Sequence, residues 1–418
     1  MPSKSAPQDG SPSFLLAPAP LLQGEEELLA LVPALQQQGA RVFVLATGSA
    51  LDRELAILGA ELLGEGWSAP RPLPRLFGRW RRRRAFARLA VDLAHCRGER
   101  PFVALRELGV PRARARILSL HLPPAMKPPR GRELQQEFPE LLLVASDYGR
   151  DCVRAWCPEL EERIRVVAPG VDLVRFDPET VLGLRIQALG DRWRLPVDAR
   201  VVLLVGPLRP GWGHAELVAA AAKLERDDFA LVFMNAGEPE PETVERLQAD
   251  AARGGLAARI HFVAVPEDRP AAYALADLVL WLAPQGPFEA RPLLEAQAMG
   301  RPVVARRGGC GGEFLLPAAT GWLVGGEDVE ELAEVLRRAL DFTPEVRARV
   351  AARGRGFIAD RFPRERRIRR LLALYQEALA AVGAATGARD ASRTASNAST
   401  RAAAPLSPAA SASPRMRR

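Results

Sequence analysis

The segment APQGPFEARPLLEAQAMGRPVVARRGG, residues 283–309, shows most clearly how the chain folds. Its middle part, RPLLEAQAMG, predicts a short helix, and the following Gly-Arg-Pro turn leads into the apolar run PVVA, which predicts a buried strand. Glu289 precedes this helix and Glu295 lies one turn inside it. A helix followed by a buried strand, with carboxylates at the helix start, is typical of a ligand-binding α/β domain.

The same alternation of short apolar runs and helices extends in both directions. It predicts two Rossmann-like domains, each a doubly wound parallel sheet. We predict a disordered N-terminus at 1–13, an N-terminal Rossmann-like domain at 14–170, a linker with a connecting helix at 171–199, a C-terminal Rossmann-like domain at 200–360, a closing helix at 361–382, and a disordered Ala/Ser/Arg-rich tail at 383–418.

Composition narrows the class of protein. The chain has 418 residues and a net charge of +8, and Arg79–Arg84 includes a run of four consecutive arginines. This run favours a peripheral contact with an anionic membrane surface over nucleic-acid binding, because no aromatic stacking platform accompanies it; a solvated Arg-rich helix is the alternative. The four cysteines form no CxxC pair, so neither a disulfide framework nor a metal site is indicated, as expected in the cytoplasm.

Three loops at the predicted strand ends carry candidate binding residues. Gly24 and Glu26 lie in LLQGEEELL, where acidic side chains also favour the start of a helix for purely structural reasons. Gly206 and Gly213 lie in the glycine-rich turn GPLRPGWGHAEL, which can bring backbone N–H groups to a diphosphate. Glu295 can accept the two hydroxyls of a ribose, or simply face solvent. Ligands of open α/β sheets bind at the carboxyl ends of the strands, so a cleft between the domains is expected.

The blocks in this order resemble the retaining glycosyltransferases of family four, which have the GT-B fold. The stretch 293–340, LLEAQAMGRPVVARRGGCGGEFLLPAATGWLV and onward, is similar to the family's EAQAMGRPVVA…GG…E…TGWLV block. The stretches RIRVVAPGVDLVRFDP (163–178) and LVASDYGRDCVR (143–154) resemble two further family blocks.

The resemblance implies transfer of a sugar, with retention of configuration, from a nucleotide-diphosphate donor to an acceptor held by the N-terminal domain. It also implies a metal-independent reaction, with an Arg and a Lys neutralising the leaving diphosphate. This chain has Pro207 at the position of the Arg and Trp212 at the position of the Lys. Arg209 and Arg291 are the expected replacement cations, together with Arg306 or Arg307.

The family's paired glutamates fall on Pro287 and Glu295, so Glu289, two residues later than Pro287, is the candidate for the missing role. By resemblance, Glu26, His121 and Glu289 are assigned to catalysis. The donor-binding set is Gly24, Gly206, Arg209, Gly213, Arg291, Leu294, Glu295 and Glu313. Gln23 replaces a family glycine, Leu122 replaces the glycine after the histidine, and His95 also resembles a family histidine.

Two hypotheses follow. The first is a glycosyltransferase acting on a cell-envelope glycan or lipid-linked acceptor, for example in lipopolysaccharide biosynthesis, in the cytoplasm or on the inner membrane. The second is a GT-B protein without catalytic activity that binds a nucleotide, a glycan or a protein partner. The departures at the chemical positions favour the second hypothesis, whereas the retained Glu26, His121, Glu295 and Glu313 favour the first.

Overall fold

The structure of the protein is a computed structural model. It describes residues 11–18, 25–46, 49–63, 90–108, 112–123, 125, 127–130, 138–235, 237–286 and 288–402. The described residues form two α/β domains, as the alternation of apolar runs and helices predicts.

The N-terminal domain is built on a seven-stranded parallel sheet in the order β3-β2-β1-β4-β5-β6-β7. The strands are β1 Ser13–Ala17, β2 Arg41–Leu45, β3 Glu61–Leu63, β4 Ala90–Arg97, β5 Arg112–Leu120, β6 Leu141–Val144 and β7 Ile164–Val166. The helices are α1 Leu28–Gln36, α2 Ala50–Ile57, α3 Glu99–Leu108 and α4 Asp147–Trp156. The central strands are apolar and buried because helices cover both faces of a parallel sheet.

The C-terminal domain has a six-stranded parallel sheet in the order β10-β9-β8-β11-β12-β13. Its strands are β8 Arg200–Val205, β9 Phe229–Asn235, β10 Ile260–Ala264, β11 Leu278–Trp281, β12 Val303–Arg306 and β13 Gly321–Val324. Its helices are α6 His214–Ala221, α7 Pro241–Arg253, α8 Arg269–Leu275, α9 Arg291–Ala298, α10 Val329–Leu340 and α11 Pro344–Arg361. The order changes direction beside β8 and β11, so ligands are expected at the carboxyl ends of these strands.

Two segments cross between the domains. The predicted linker contains helix α5, Gly183–Trp193, and Val171 pairs with Pro363 at the crossing point. Helix α12, Arg364–Ala402, returns to the N-terminal domain, where Leu371, Leu374 and Tyr375 are buried in its core. The predicted closing helix therefore packs on the N-terminal sheet.

The structure differs from the prediction at the end of this helix. Disorder was expected from residue 383, but α12 continues to Ala402. The physical reason is composition, because the segment is rich in alanine, which has the highest helix propensity. Within the described residues, no helix combines the length and the apolar character needed to cross a bilayer.

Candidate functional site

The candidate site lies where the carboxyl ends of the two sheets meet. Ser146, the N-cap of α4, donates from Oγ to the carbonyl of Phe288 at 2.6 Å, and the Phe288 N–H donates to the carbonyl of His121 at 2.9 Å. Gly149 in the first turn of α4 allows this contact, because a β-carbon there would lie 2.9 Å from the Phe288 ring. The segment before α9 is therefore held directly against the N-terminal domain.

This contact brings together two of the predicted catalytic residues. Glu289 Oε1 lies 3.5 Å from His121 Nδ1, and both side chains are largely buried. Both ring nitrogens of His121 and the other carboxylate oxygen of Glu289 are buried without a hydrogen-bond partner. Burial alone would raise the pKa of Glu289, but the charges of His121, Arg291 and Arg367 outweigh it and lower the pKa to about 2. Glu289 is therefore an anion with free acceptor capacity at the domain boundary.

Arg291 adds a cation to this pair. It is the first residue of α9, and its Nη1 donates to the carbonyl of Gly170 in the N-terminal half at 3.5 Å. Its Nε is buried without a hydrogen-bond partner. A small cavity of about 10 Å³ lies beside His121, bordered by Ser119 and Arg367, and it has room for one water molecule. His121, Glu289 and Arg291 thus form a polar group whose hydrogen-bonding capacity is incompletely used.

Glu295, the predicted ribose ligand, has a different environment. Its Oε2 accepts from Tyr273 Oη at 3.0 Å, and its Oε1 accepts from Arg269 Nη2 at 3.2 Å. The same guanidinium binds Glu26 of the N-terminal domain at 3.0 and 3.1 Å, and Arg175 pairs with Glu26 as well. Both oxygens of the Glu295 carboxylate therefore already have protein partners.

This group, Glu26, Arg175, Arg269, Tyr273 and Glu295, is named the interdomain cluster. Burial alone would raise the pKa of Glu26, but its contacts with Arg269 and Arg175 lower it. Two acids and two arginines balance in charge. The predicted catalytic Glu26 thus joins the two domains rather than contacting His121 or Glu289, and Arg269 is the residue that links it to Glu295.

The glycine-rich turn after β8 is filled by Trp212. A β-carbon at Gly206 would lie 2.7 Å from the Trp212 ring, and this ring also packs edge-on against Trp281. Gly213 has φ +83°, and a β-carbon there would meet the Leu282 side chain at 2.4 Å. Gly206 and Gly213 are therefore required for close packing. The indole occupies the position for which the resemblance predicts a phosphate-binding lysine.

The candidate replacement cations lie in different environments. Arg306 is mostly buried against the turn, donating to the carbonyls of Gly211 and Leu282 at 3.3 Å. Arg209 is 61% exposed and lies 3.5 Å from Glu240, and Arg307 pairs with Glu331 at 2.7 Å. Arg209 belongs to the glycine-rich turn but its side chain is directed to Glu240, whereas Arg306 lies against the turn from β12.

Two other predicted donor residues have structural contacts. Glu313 accepts from the backbone N–H groups of Asp147 and Tyr148 at 2.7 and 2.8 Å, so it caps the start of α4 in the other domain. Leu294 is fully buried in the core beneath α9, where its side chain cannot contact a ligand directly. Glu313 therefore fixes the relative position of the two domains, and Leu294 fixes α9 on the core of its own domain.

Several predictions concern residues that lie outside the described part of the chain. These are Gln23, Gly24, Pro287 and the Arg79–Arg84 run. Among the described residues, no group of three or more His, Cys, Asp or Glu is arranged to hold a metal ion. Pro287, which stands where the family has a glutamate, is thus not described, whereas Glu289, the candidate substitute for that glutamate, is.

A buried network behind the site was not predicted from the sequence. Glu27 accepts from Arg367 Nε at 2.6 Å and from Arg97 Nη2 at 3.1 Å, which ties α12 to the N-terminal sheet. His95 contacts Tyr375 and Ser119, each at 2.7 Å, and burial followed by the charge of Arg97 lowers its pKa. His95 is thus a structural residue. The signals in the sequence were the run of three glutamates at 25–27 and the resemblance of His95 to a family histidine.

Comparisons with known proteins agree with this architecture. The family model described as Glycosyltransferase Family 4 matches residues 25–175, and the model described as Glycosyl transferases group 1 matches residues 199–341. The two matches fall on the two domains. The fold and the paired domains therefore define a GT-B protein.

Relatives and solved structures give the same class. A D-inositol 3-phosphate glycosyltransferase of Salinispora tropica is 36% identical over 229 residues, covering 52% of this chain and 47% of the relative. One of Saccharomonospora viridis is 32% identical over 300 residues, covering 70% and 65%. The chain thus spans about half the length of the first of these relatives.

Among solved structures, a glycosyltransferase from Rickettsia africae superimposes with a TM-score of 0.73 at 18% identity, covering 88% of this chain and 99% of that one. Anabaena Alr3699/HepE in complex with UDP-glucose gives a TM-score of 0.69 at 20% identity, covering 87% and 99%. At these identities the structures support the fold alone. The chain belongs to the group 1 glycosyltransferases of family four.

Proposed function

We propose that the protein is a retaining glycosyltransferase that takes a sugar from a nucleotide-diphosphate donor in the interdomain cleft. The observation that carries the proposal is the pairing of His121 and Glu289 across the domains, with buried hydrogen-bonding atoms that no protein group fills. Buried polar atoms without partners are rare in folded proteins, and they mark places where a ligand or water completes the bonding. Sugar hydroxyls both donate and accept, so they suit a carboxylate beside an imidazole.

The leaving diphosphate requires a cation, because negative charge develops on it as the glycosidic bond breaks. Pro207 and Trp212 supply none. We assign this role to Arg306, which lies against the glycine-rich turn at Gly211. Losing one preorganised donor to a developing charge typically costs ~2.7 to 4 kcal/mol, so Arg306 is needed for useful turnover under this proposal.

The acceptor is proposed from the relatives, which are named D-inositol 3-phosphate glycosyltransferases. We infer a small polyol or its phosphate as the acceptor, and UDP as the donor nucleotide because Alr3699/HepE was solved with UDP-glucose. A cell-envelope glycan or a lipid-linked acceptor, used at the surface of the inner membrane, is the alternative. The reaction is proposed to need no metal, so EDTA should leave the transfer rate unchanged.

The test is calorimetric titration of the full chain with UDP, GDP and their glucose conjugates, followed by assays of transfer to inositol 3-phosphate and to lipid-linked glycans. We expect binding of a UDP-sugar and transfer. Glu289→Gln should lower the transfer rate by about 10² to 10³-fold, by analogy with the loss of a group aimed at developing charge. Glu330→Gln, on an exposed surface pair with Lys223, is the matched control and should have no effect. Absence of nucleotide binding would exclude the proposal.

A second function is favoured by a separate observation. Trp212 covers Gly206, and Arg269 and Tyr273 engage both oxygens of Glu295. These contacts suit a GT-B protein that binds a nucleotide, a glycan or a protein partner without catalysis. Binding of UDP-glucose without hydrolysis or transfer to any acceptor would support this function over the first.

A further inference from the structure

A group of arginines lies at the amino edge of the C-terminal sheet, on the side opposite the candidate site. Arg200 begins β8, Asp277 directly precedes β11, and Arg301 stands two residues before β12. Arg347, in the first turn of α11, contacts the same aspartate. Because all six strands are parallel, these strand starts share one edge. The group Arg200, Asp277, Arg301 and Arg347 is named the amino-edge cluster.

Asp277 is the single acid of this cluster, and both of its carboxylate oxygens accept hydrogen bonds from the protein. Asp277 Oδ2 accepts from the Val201 N–H at 2.8 Å, and Oδ1 accepts from Arg200 Nη1 at 3.3 Å and from Arg347 Nη1 at 2.5 Å. Arg347 Nε donates to the carbonyl of Phe342 at 3.1 Å. Three arginines against one aspartate leave a formal charge of +2 (3 − 1).

Two other acids, Asp228 and Asp341, offset part of that charge, because both pair with the same arginine, Arg226. Asp228 binds Arg226 at 2.6 and 2.7 Å, and Asp341 binds the same arginine at 2.7 Å. Asp341 is also strongly exposed, so solvent screens it. With Arg226 and these two acids included, four arginines face three acids, so one excess positive charge remains.

Arg301 differs from Arg200 and Arg347, whose side chains both donate to Asp277. Across the part of the chain that the structure describes, the Arg301 side chain has no hydrogen-bond or ion-pair acceptor, and its Nε is buried. Nη2 of Arg347 is likewise buried without an acceptor. Burial lowers the pKa of Arg301, Asp277 acts in the opposite direction, and Arg347 lowers it further. Arginine stays charged in proteins, so the charge must be carried or offset.

We propose that the amino-edge cluster binds a small oxyanion of the phosphate class between Arg301 and Arg347. A water molecule would satisfy a donor but would leave the charges repelling each other, whereas an oxyanion accepts several hydrogen bonds and neutralises both. Nε of Arg301 and Nη2 of Arg347, the two donors without an acceptor, are both buried. The ligand must therefore be small or must present a single phosphate group. The site is separate from the cleft and does not depend on the proposed transfer.

The test uses the full chain and inorganic phosphate, with chloride adjusted to hold ionic strength constant. We expect phosphate to raise Tm and to bind measurably by calorimetry. Arg301→Met should weaken phosphate binding by at least about tenfold, because it removes the unpaired fork. Without phosphate, the Tm of this variant should equal or exceed that of the parent chain, because an unpaired buried cation is gone.

Two controls locate the effect. Arg349→Met, an exposed arginine on the same helix as Arg347, should keep the phosphate response. Arg306→Met tests whether phosphate binds at the glycine-rich turn instead, and it should also keep the response. Arg347→Met should also weaken phosphate binding; if this variant does not fold, Arg301→Met and Arg301→Lys carry the test, with the lysine variant expected to keep part of the response.

Equal phosphate affinity in the parent chain and in Arg301→Met would overturn the proposal. So would the absence of any response in the parent chain, which would mean that only ordered water fills the cluster. Neither result bears on the cleft, so failure of this site and failure of the proposed transfer are distinguishable.

Discussion

Glu289 and Glu295 stand six residues apart at the same domain boundary, yet their surroundings are opposite. Glu295 has Tyr273 on one oxygen and Arg269 on the other. Glu289 has His121 at 3.5 Å and one oxygen with no partner. A buried carboxylate whose bonds are complete within the protein holds the structure together, whereas one with free bonding capacity is available to a ligand. The resemblance assigns Glu295 as the ribose ligand, so a ribose there would share the carboxylate with Arg269 and Tyr273.

The largest expected effect on stability comes from removing the carboxylate of Glu295, which has a protein partner on each oxygen. Glu295→Ala leaves Tyr273 without its acceptor and removes one of the two acids that Arg269 contacts. Breaking a buried ion pair typically costs ~3 to 5 kcal/mol, and because Arg269 keeps Glu26 we expect a loss of about 3 kcal/mol in the free energy of unfolding. Urea unfolding at pH 7 measures it.

The matched control for this prediction is Glu330→Ala, which removes an exposed glutamate from the pair with Lys223 and should cost less than about 1 kcal/mol. Equal losses in the two variants would contradict the structural role of Glu295.

The second prediction concerns the pH dependence that Glu289 confers. Its pKa falls from the ordinary value of 4.5 to about 2, so the folded state favours the ionised form. The stabilisation is fully present above pH 4.5 and is lost as the pH falls towards 2. A shift of this size corresponds to at most about 3 kcal/mol.

The measurement is the free energy of unfolding of the parent chain and of Glu289→Gln between pH 6 and pH 3. The parent chain should lose more stability on acidification than the variant does. A constant difference between the two chains across this range would show that Glu289 is not held as an anion by His121.

The third prediction concerns the missing cation at the glycine-rich turn. Trp212→Lys places a cation where the family has one and removes the ring that packs on Gly206 and Trp281. We expect UDP-sugars to bind about tenfold tighter, or ~1.4 kcal/mol, because a charge-assisted bond to the diphosphate is gained. Trp322→Lys, which loses a ring contact with Phe342 elsewhere in the domain, is the control. Equal affinities in both variants would place the nucleotide away from this turn.

Much of this arrangement follows from the sequence. Alternating apolar runs and helices predict both sheets, and the retained blocks predict that His121 and a glutamate before α9 lie at the boundary. The partner of Glu295 could not be predicted, because Arg269 begins a short apolar helix with no distinctive motif, and its other partner, Glu26, lies 243 residues away. The role of Glu313 could not be predicted either. It caps α4 of the other domain, and this contact depends on how the two domains meet, which a local sequence pattern does not indicate.

The smallest effect is expected at the exposed end of the interdomain cluster. Glu26→Gln weakens the contacts with Arg269 and Arg175, but the Glu26 side chain is 40% exposed, so solvent screens much of the interaction and the loss should be about 1 kcal/mol or less. Its effect on domain opening should be larger than on global stability, since Glu26 is the N-terminal domain's contribution to the cluster. Hydrogen exchange at the N–H groups of α8 and α9 measures this opening. Faster exchange there in Glu26→Gln, with unchanged exchange in α10, is the expected result, and uniform exchange across the C-terminal domain would mean that the cluster does not hold the two domains together.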